Sequence, residues 1–346
     1  MILNRNNVFL SRAVRARKTG AARGMALFLT LAVVLRVGAQ SNGVFLSSGP
    51  TNPTGVTNAA ESPAAVPAAY QKLLAADNTA QSEVDRWIQD NQRFVAQGGG
   101  LTTDQLRLKI QSRFAPVRKG YEEFLKAHPD HVGALLAYGS LLNDLNDEVT
   151  AALQWERARD LAPTNPAPWN NLGNHYAAAN ALPKAFEHFE KAIALAPQVP
   201  VYRRNLGSAI VHFRTNAMTY YATGEQAVLD KGLRFMRQAQ KLEPDDFPLA
   251  TEIAQTYYGL NPPRVEEAIA AWNFALKLAA DDVEREGVHL HLARVNLQAQ
   301  RLAEARHQLD LVRNEMYDEL KRGLAAQIAK AATAAAPTNA PSGAVN

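Results

Sequence analysis

Apolar residues near the start of the non-leader sequence recur at helical spacing. Leu73 and Leu74, then Val84, Trp87, Ile88 and Phe94, predict two amphipathic helices, Pro67 to Ala76 and Ser82 to Val95. Gly98-Gly99-Gly100 breaks the chain, and Thr103 is placed to cap a helix carrying Leu106, Leu108 and Ile110. From there the pattern of small and large positions returns every 34 residues. Gly139, Gly173 and Gly207 fall in register, as do Ala151 and Ala185, Ala158 and Ala192, Trp155 and Phe189, and Pro129, Pro163 and Pro197. The chemistry of such a pattern is packing. Small residues let two helices approach, large ones fill the groove beside them, and a proline ends the second helix because it lacks an amide donor.

The unit from Pro166 to Val199 carries the pattern most fully: Trp169, Leu172, Gly173 and Tyr176 on a first helix, Ala185, Phe189 and Ala192 on a second, then Pro197. It resembles the tetratricopeptide repeat (TPR) family residue by residue. The unit before it, Val132 to Asn165, keeps Tyr138, Gly139, Leu142, Ala151, Trp155, Ala158 and Pro163. Tyr121, Phe124 and Pro129 match the second half of an earlier one, and later units follow through Ile253, Ala254, Tyr257, Ala268, Trp272 and Ala275, then Leu292, Ala293, Ala305, Leu309 and Val312. The resemblance implies an all-α fold, a right-handed superhelical solenoid of TPR helix-turn-helix repeats with flanking helices. The expected divisions are 1–39 as a leader, 40–65 as a flexible linker, 66–131 as N-terminal helices with a half repeat, and 132–314 as the repeat array. A capping helix over 315–335 and a disordered tail over 336–346 complete the chain. At these spacings Trp169 and Tyr176 read as core.

One repeat, 200–246, is irregular: its closing proline is Pro244, thirteen residues later than the register requires. The extra residues lie between Phe213 and Gly232. The expectation is two helices lengthened by about seven residues each around a turn at Gly224. Met218, Tyr220 and Tyr221 would then form either a docking surface or packing against the neighbouring unit.

In the family the first helix of each pair lines a concave groove, and the positions not consumed by packing carry the ligand contacts. Here that selects Asn170, Asn171, Asn174, Arg204, Asn205, Ser208 and His212, with Ser140 and Asn143 upstream and Glu252 downstream. An asparagine amide offers both a donor and an acceptor, which suits an extended peptide backbone, and Arg204 suits a carboxylate. Asn171 and Asn205 occupy matching positions in successive Asn-Leu-Gly triplets, similar to the asparagine ladder of some peptide-gripping TPR arrays, although Ala137 takes the equivalent place upstream. The lysines of a carboxylate clamp are missing.

Composition changes this picture little. Cysteine is absent, so there is no disulfide framework and no thiol nucleophile. The sequence pI near 9.2 suggests nucleic acid, but of the 37 Lys and Arg, seven fall in residues 1–39, which hold no Asp or Glu. The remaining 30 face 33 acidic residues, with no long basic stripe to neutralise phosphates. Those seven charges precede or close an apolar run, Ala26 to Leu35, followed by Val37-Gly38-Ala39. The run reads as a secretory signal, cleaved after Ala39, with an uncleaved membrane anchor as the alternative. The expected location is periplasmic or otherwise extracytoplasmic.

Catalytic motifs do not emerge. His289 and His291 form a His-x-His pair, yet residues two apart on a helix point about 200° apart and cannot chelate one metal. Glu187-His188 lacks a second histidine four residues on, and no phosphate-binding or nucleophile-elbow motif occurs. The sequence therefore predicts a non-enzymatic adaptor without metal or cofactor, whose partner is a protein or peptide. A structural subunit of an envelope assembly or oligomer, built through the 213–232 insertion and the terminal helix, is the alternative.

Overall fold

The computed structural model describes residues 68–96 and 98–335; the segments expected as leader, linker and tail lie outside the described residues. Those described contain fourteen α-helices and no strand. They belong to two compact units, one ending at Leu206 and the other beginning at Gly207.

The regular helix pairs lie in the first unit and at its end. α3 (Val132–Asp144) and α4 (Glu148–Leu161) form one pair, α5 (Pro166–Ala178) and α6 (Leu182–Leu195) the next, and α7 (Pro200–His212) opens a third. The first helices start at Val132, Pro166 and Pro200 and end at Asp144, Ala178 and His212, 34 residues apart at both ends. The glycines in register sit where the paired helices cross. A Cβ at Gly139 would strike the Trp155 indole; one at Gly173 would lie 2.7 Å from two ring carbons of Phe189, and one at Gly207 2.6 Å from Met236. Leu172 and Phe189 are buried in the α5–α6 pair, whereas Trp169 and Tyr176, expected in the core, are only half-buried. Second helices stop two residues short of Pro163 and Pro197, each closed by a cap N–H donated to the carbonyl four residues back.

The turn inside each pair also repeats. Asn146 and Asn180 adopt φ of 63° and 60°, the left-handed conformation that asparagine tolerates. The next residue donates its N–H across the turn, Asp147 to Leu142 and Ala181 to Tyr176, both at 2.8 Å. These six-to-one bonds satisfy carbonyls that the helix end would otherwise leave open.

Before the pairs stand two long helices, α1 (Ala68–Ala96) and α2 (Thr103–Ala127). The two short helices expected over 67–95 are one continuous helix. The residues between the two expected ranges continue the helix: Thr79 and Ser82 hydroxyls donate back to carbonyls four residues earlier, and Asp77 is buried, accepting from Tyr121 at 2.7 Å and Gln81 at 3.0 Å. Burial raises both the Asp77 carboxyl and the Tyr121 hydroxyl above their usual ranges. The cap of α2 is Thr102, one residue earlier than expected, in a reciprocal capping box with Gln105. Tyr121, Leu135, Leu141, Leu142, Trp155 and Leu172 anchor the core of this unit.

In the second unit the irregular repeat departs from expectation. Instead of two lengthened helices, α7 keeps its normal thirteen residues, and a break at Phe213 starts a short extra helix, α8 (Arg214–Tyr220). α9 (Glu225–Leu242) has eighteen residues against the fourteen of α4 and α6, so it gains one turn at its N-terminus. Its end keeps the register, two residues before Pro244. Two further pairs follow, α10 (Phe247–Thr256) with α11 (Val265–Leu278), and α12 (Asp282–Gln298) with α13 (Leu302–Asp310). α14 (Asp318–Ala335), entered through a short turn at Glu315–Tyr317, lays Leu324 and Ile328 onto a cluster with Leu290, Ala305 and Leu309.

Candidate functional site

The first helices α5 and α7 bring the predicted asparagines together, but recessed. Asn170, Asn171, Asn174 and Asn205 are 4%, 2%, 8% and 7% exposed, so they form a buried polar strip and not an open rim. They satisfy one another in part: Asn205 Nδ2 donates to Asn170 Oδ1 at 2.9 Å, and Asn170 Nδ2 reaches Asn171 Oδ1 at 3.5 Å. The Asn174 carbonyl oxygen is buried with no donor. A lone buried amide oxygen costs about 1–3 kcal/mol, so the strip retains an acceptor that an incoming N–H would satisfy. Arg204 beside them is half-buried. Farther along α7, Ser208 is buried and its hydroxyl lacks a partner, while His212 is exposed at the helix end, edge-on to Phe213. Ser140 turns its hydroxyl back to the Leu136 carbonyl, Asn143 is exposed, and Glu252 is half-buried.

Sequence reasoning set His188 aside, and the structure gives it a defined place. It is buried between Trp169 and Tyr176, with ring centroids 5.2 and 4.9 Å away, and its Nδ1 sits 2.8 Å from the Lys184 carbonyl. Its Nε2 has no partner. Burial lowers its pKa, so the ring is neutral at physiological pH. Lys184 and Lys191 lie over the flanking aromatic faces, 5.4 and 5.9 Å from the centroids. The sequence signal for this cluster is the spacing of Lys184, His188 and Lys191 on α6, four and three residues apart, opposite Trp169 and Tyr176, seven apart on α5.

In the second unit the His-x-His residues part company. His289 meets Gln308 at 2.8 Å, whereas His291 is buried and stacked on Trp272 with centroids 4.0 Å apart. Its Nδ1 lies 3.1 Å from the Tyr258 hydroxyl. Burial, helped by the nearby Arg294 charge, pushes the His291 imidazole down to about 3. Among the described residues no cluster of His, Asp and Glu is arranged to hold a metal ion. The insertion is tied together internally: Arg214 pairs with Glu225 at 2.7 Å, and Lys231 covers the Tyr221 ring at 4.0 Å. Met218, Tyr220 and Tyr221 are half-buried, the two tyrosine rings edge to face.

No protein-family model and no curated protein matches the sequence. Solved structures do resemble it. YrrB, described as a TPR protein with an unusual peptide-binding site, is 14% identical, with 62% of this chain and 97% of YrrB covered at a TM-score of 0.47. MamA is 20% identical, covering 49% of this chain and 91% of its own at 0.40. TTC0263, a thermophilic TPR protein of Thermus thermophilus, is 20% identical, covering 58% and 99% at 0.39. The TPR-like character of the present chain rests on its own helix pairs: the 34-residue spacing of helix ends, the glycine crossings and the proline stops.

Proposed function

We propose that the protein is a non-catalytic scaffold that holds an extended segment of a partner protein against the asparagine strip of α5 and α7. The observation that carries this reading is the Asn170–Asn171–Asn174–Asn205 cluster, a run of amides on adjacent first helices in which one buried acceptor stays open. Packing alone is served better by apolar side chains, since a partly satisfied polar network weakens a core. A peptide backbone offers the N–H and C=O groups such a strip needs. Arg204 adds a cation for a carboxylate on the same segment. The basic and apolar leader in residues 1–39 supports a site of action outside the cytoplasm.

The test is affinity capture from a cell-envelope extract with the mature chain, comparing wild type with the combined Asn171→Ala, Asn205→Ala and Arg204→Ala variant. The expected result is a tenfold or greater loss of a specific retained protein with unchanged helical circular dichroism. An identical retained set from both proteins removes the strip as the binding site.

A further inference from the structure

The second unit carries a cleft that the repeat pattern does not predict. It lies between the second helices α9 and α11 beside α10, has a volume of about 250 Å³, and is lined by Ala250 and Ile253 of α10 and by Ala271 and Phe274 of α11. Arg237 and Glu267 stand at its edge. A shallower basin of about 570 Å³ continues from it along α9, sharing Arg237 and Gln240, and is lined by Arg234, Lys241 and Arg264 as well as Asp230. The charges in this basin are unequal. Arg264 is neutralised by Asp230 at 2.7 Å, and Arg237 by Glu267 at 3.4 Å together with the Tyr257 hydroxyl. Arg234 and Lys241, both exposed, make no hydrogen bond or ion pair with any described residue. They are seven residues apart, two turns along one face of α9, so two cations unpaired among the described residues line the basin that adjoins the apolar slot.

We propose that this cleft is a second docking site, distinct from the asparagine strip, for an acidic peptide segment that carries one large apolar side chain. The anchor enters the slot over Phe274 and Ile253, and flanking carboxylates meet Arg234 and Lys241. Apolar burial supplies affinity and the charge match supplies orientation and on-rate. A nucleic-acid backbone fits poorly: Asp230 and Glu267 interrupt the basic face, and a phosphodiester chain has no apolar anchor to fill the slot.

The test uses fluorescently labelled short peptides, each with a single Phe, Leu or Trp flanked by Asp and Glu. Matched controls replace the acids with Asn and Gln or the anchor with Ala, and a single-stranded oligonucleotide serves as a further probe. At least one acidic, anchored peptide is expected to bind saturably and to lose tenfold or more of its affinity with either control. The double variant Arg234→Glu, Lys241→Glu is expected to cause a similar loss, because both side chains are exposed and make no hydrogen bond or ion pair with a described residue. Ala270→Glu, an exposed position at the mouth of the cleft, tests the slot independently, and Asn171→Ala is expected to leave this binding unchanged. The proposal is overturned if no peptide binds, if neutral peptides bind as well, if the charge reversal has no effect, or if the oligonucleotide binds more tightly than every peptide.

Discussion

Gly173→Ala probes the crossing on which each helix pair is built. An ideal Cβ at this position lies 2.7 Å from both Cδ1 and Cε1 of Phe189 and 3.2 Å from Cγ. Carbon atoms prefer about 3.5–4.0 Å, so the ring has to move by nearly an ångström. Phe189 is 1% exposed, so the ring has to shift against neighbouring core side chains and not into solvent. Overpacking of this kind costs about 1–3 kcal/mol, against the roughly 1 kcal/mol that alanine gains over glycine inside a helix. Gly323 in α14 supplies the control, since a Cβ there meets nothing within 4 Å. The same substitution at Gly323 therefore keeps the helical gain without the clash. The difference between the two variants is the steric contribution alone, about 1–3 kcal/mol. Urea denaturation followed by circular dichroism measures it, and if two transitions are resolved each variant moves only the one of its own unit. In a Phe189→Leu background the cost of Gly173→Ala is expected to shrink by about 1 kcal/mol or more as a double-mutant coupling. Equal stabilisation by both alanines, or a cost indifferent to Phe189→Leu, would refute the crossing as the source of the pattern.

Other consequences can be checked on the same material. His291 is held neutral in the fold, so the unfolded chain binds more protons below its ordinary pKa and stability falls as pH drops through 6.5 towards 3. At pH 5 the loss is about 2 kcal/mol relative to pH 7, and His291→Phe, which keeps a ring over Trp272, is expected to flatten that slope in denaturation series across pH. Tyr121→Phe removes a donor from the buried Asp77 carboxylate and is expected to cost about 1–3 kcal/mol at neutral pH. That cost shrinks in acid, because the raised Asp77 pKa lets the carboxyl take up a proton early. Ala222 sits at φ 48° in the turn after α8, so Ala222→Gly is expected to raise stability by about 1 kcal/mol, read from the urea midpoint.

The helix pairs were legible because their code is local: a tiny residue, a large one sixteen positions later, and a proline stop all fall within one repeat. What depends on distant partners was not. The helix over 68–96 reads as two in the sequence because no large apolar anchor lies between Leu74 and Val84, and the partner that holds Asp77 in that gap, Tyr121, is 44 residues away in sequence. The thirteen extra residues were located but wrongly apportioned, since length alone does not say whether a helix grows or a new one starts. The asparagines were placed on the right helices, yet their burial and the Asn205–Asn170 bond depend on how one first helix meets the next. Trp169 and Tyr176 followed the same logic: their spacing suited a core, while the space between them is taken by His188.

The thirteen additional residues leave both ends of their repeat undisturbed, because α7 stops on schedule at His212 and α9 still terminates two positions before Pro244. The chain thus treats this stretch as a cassette with a natural seam at Tyr221–Gly224, where no regular helix has to be continued. A foreign epitope or fluorophore acceptor spliced between Thr223 and Gly224 would ride on the protein as cargo, giving a handle for tracking it in cells.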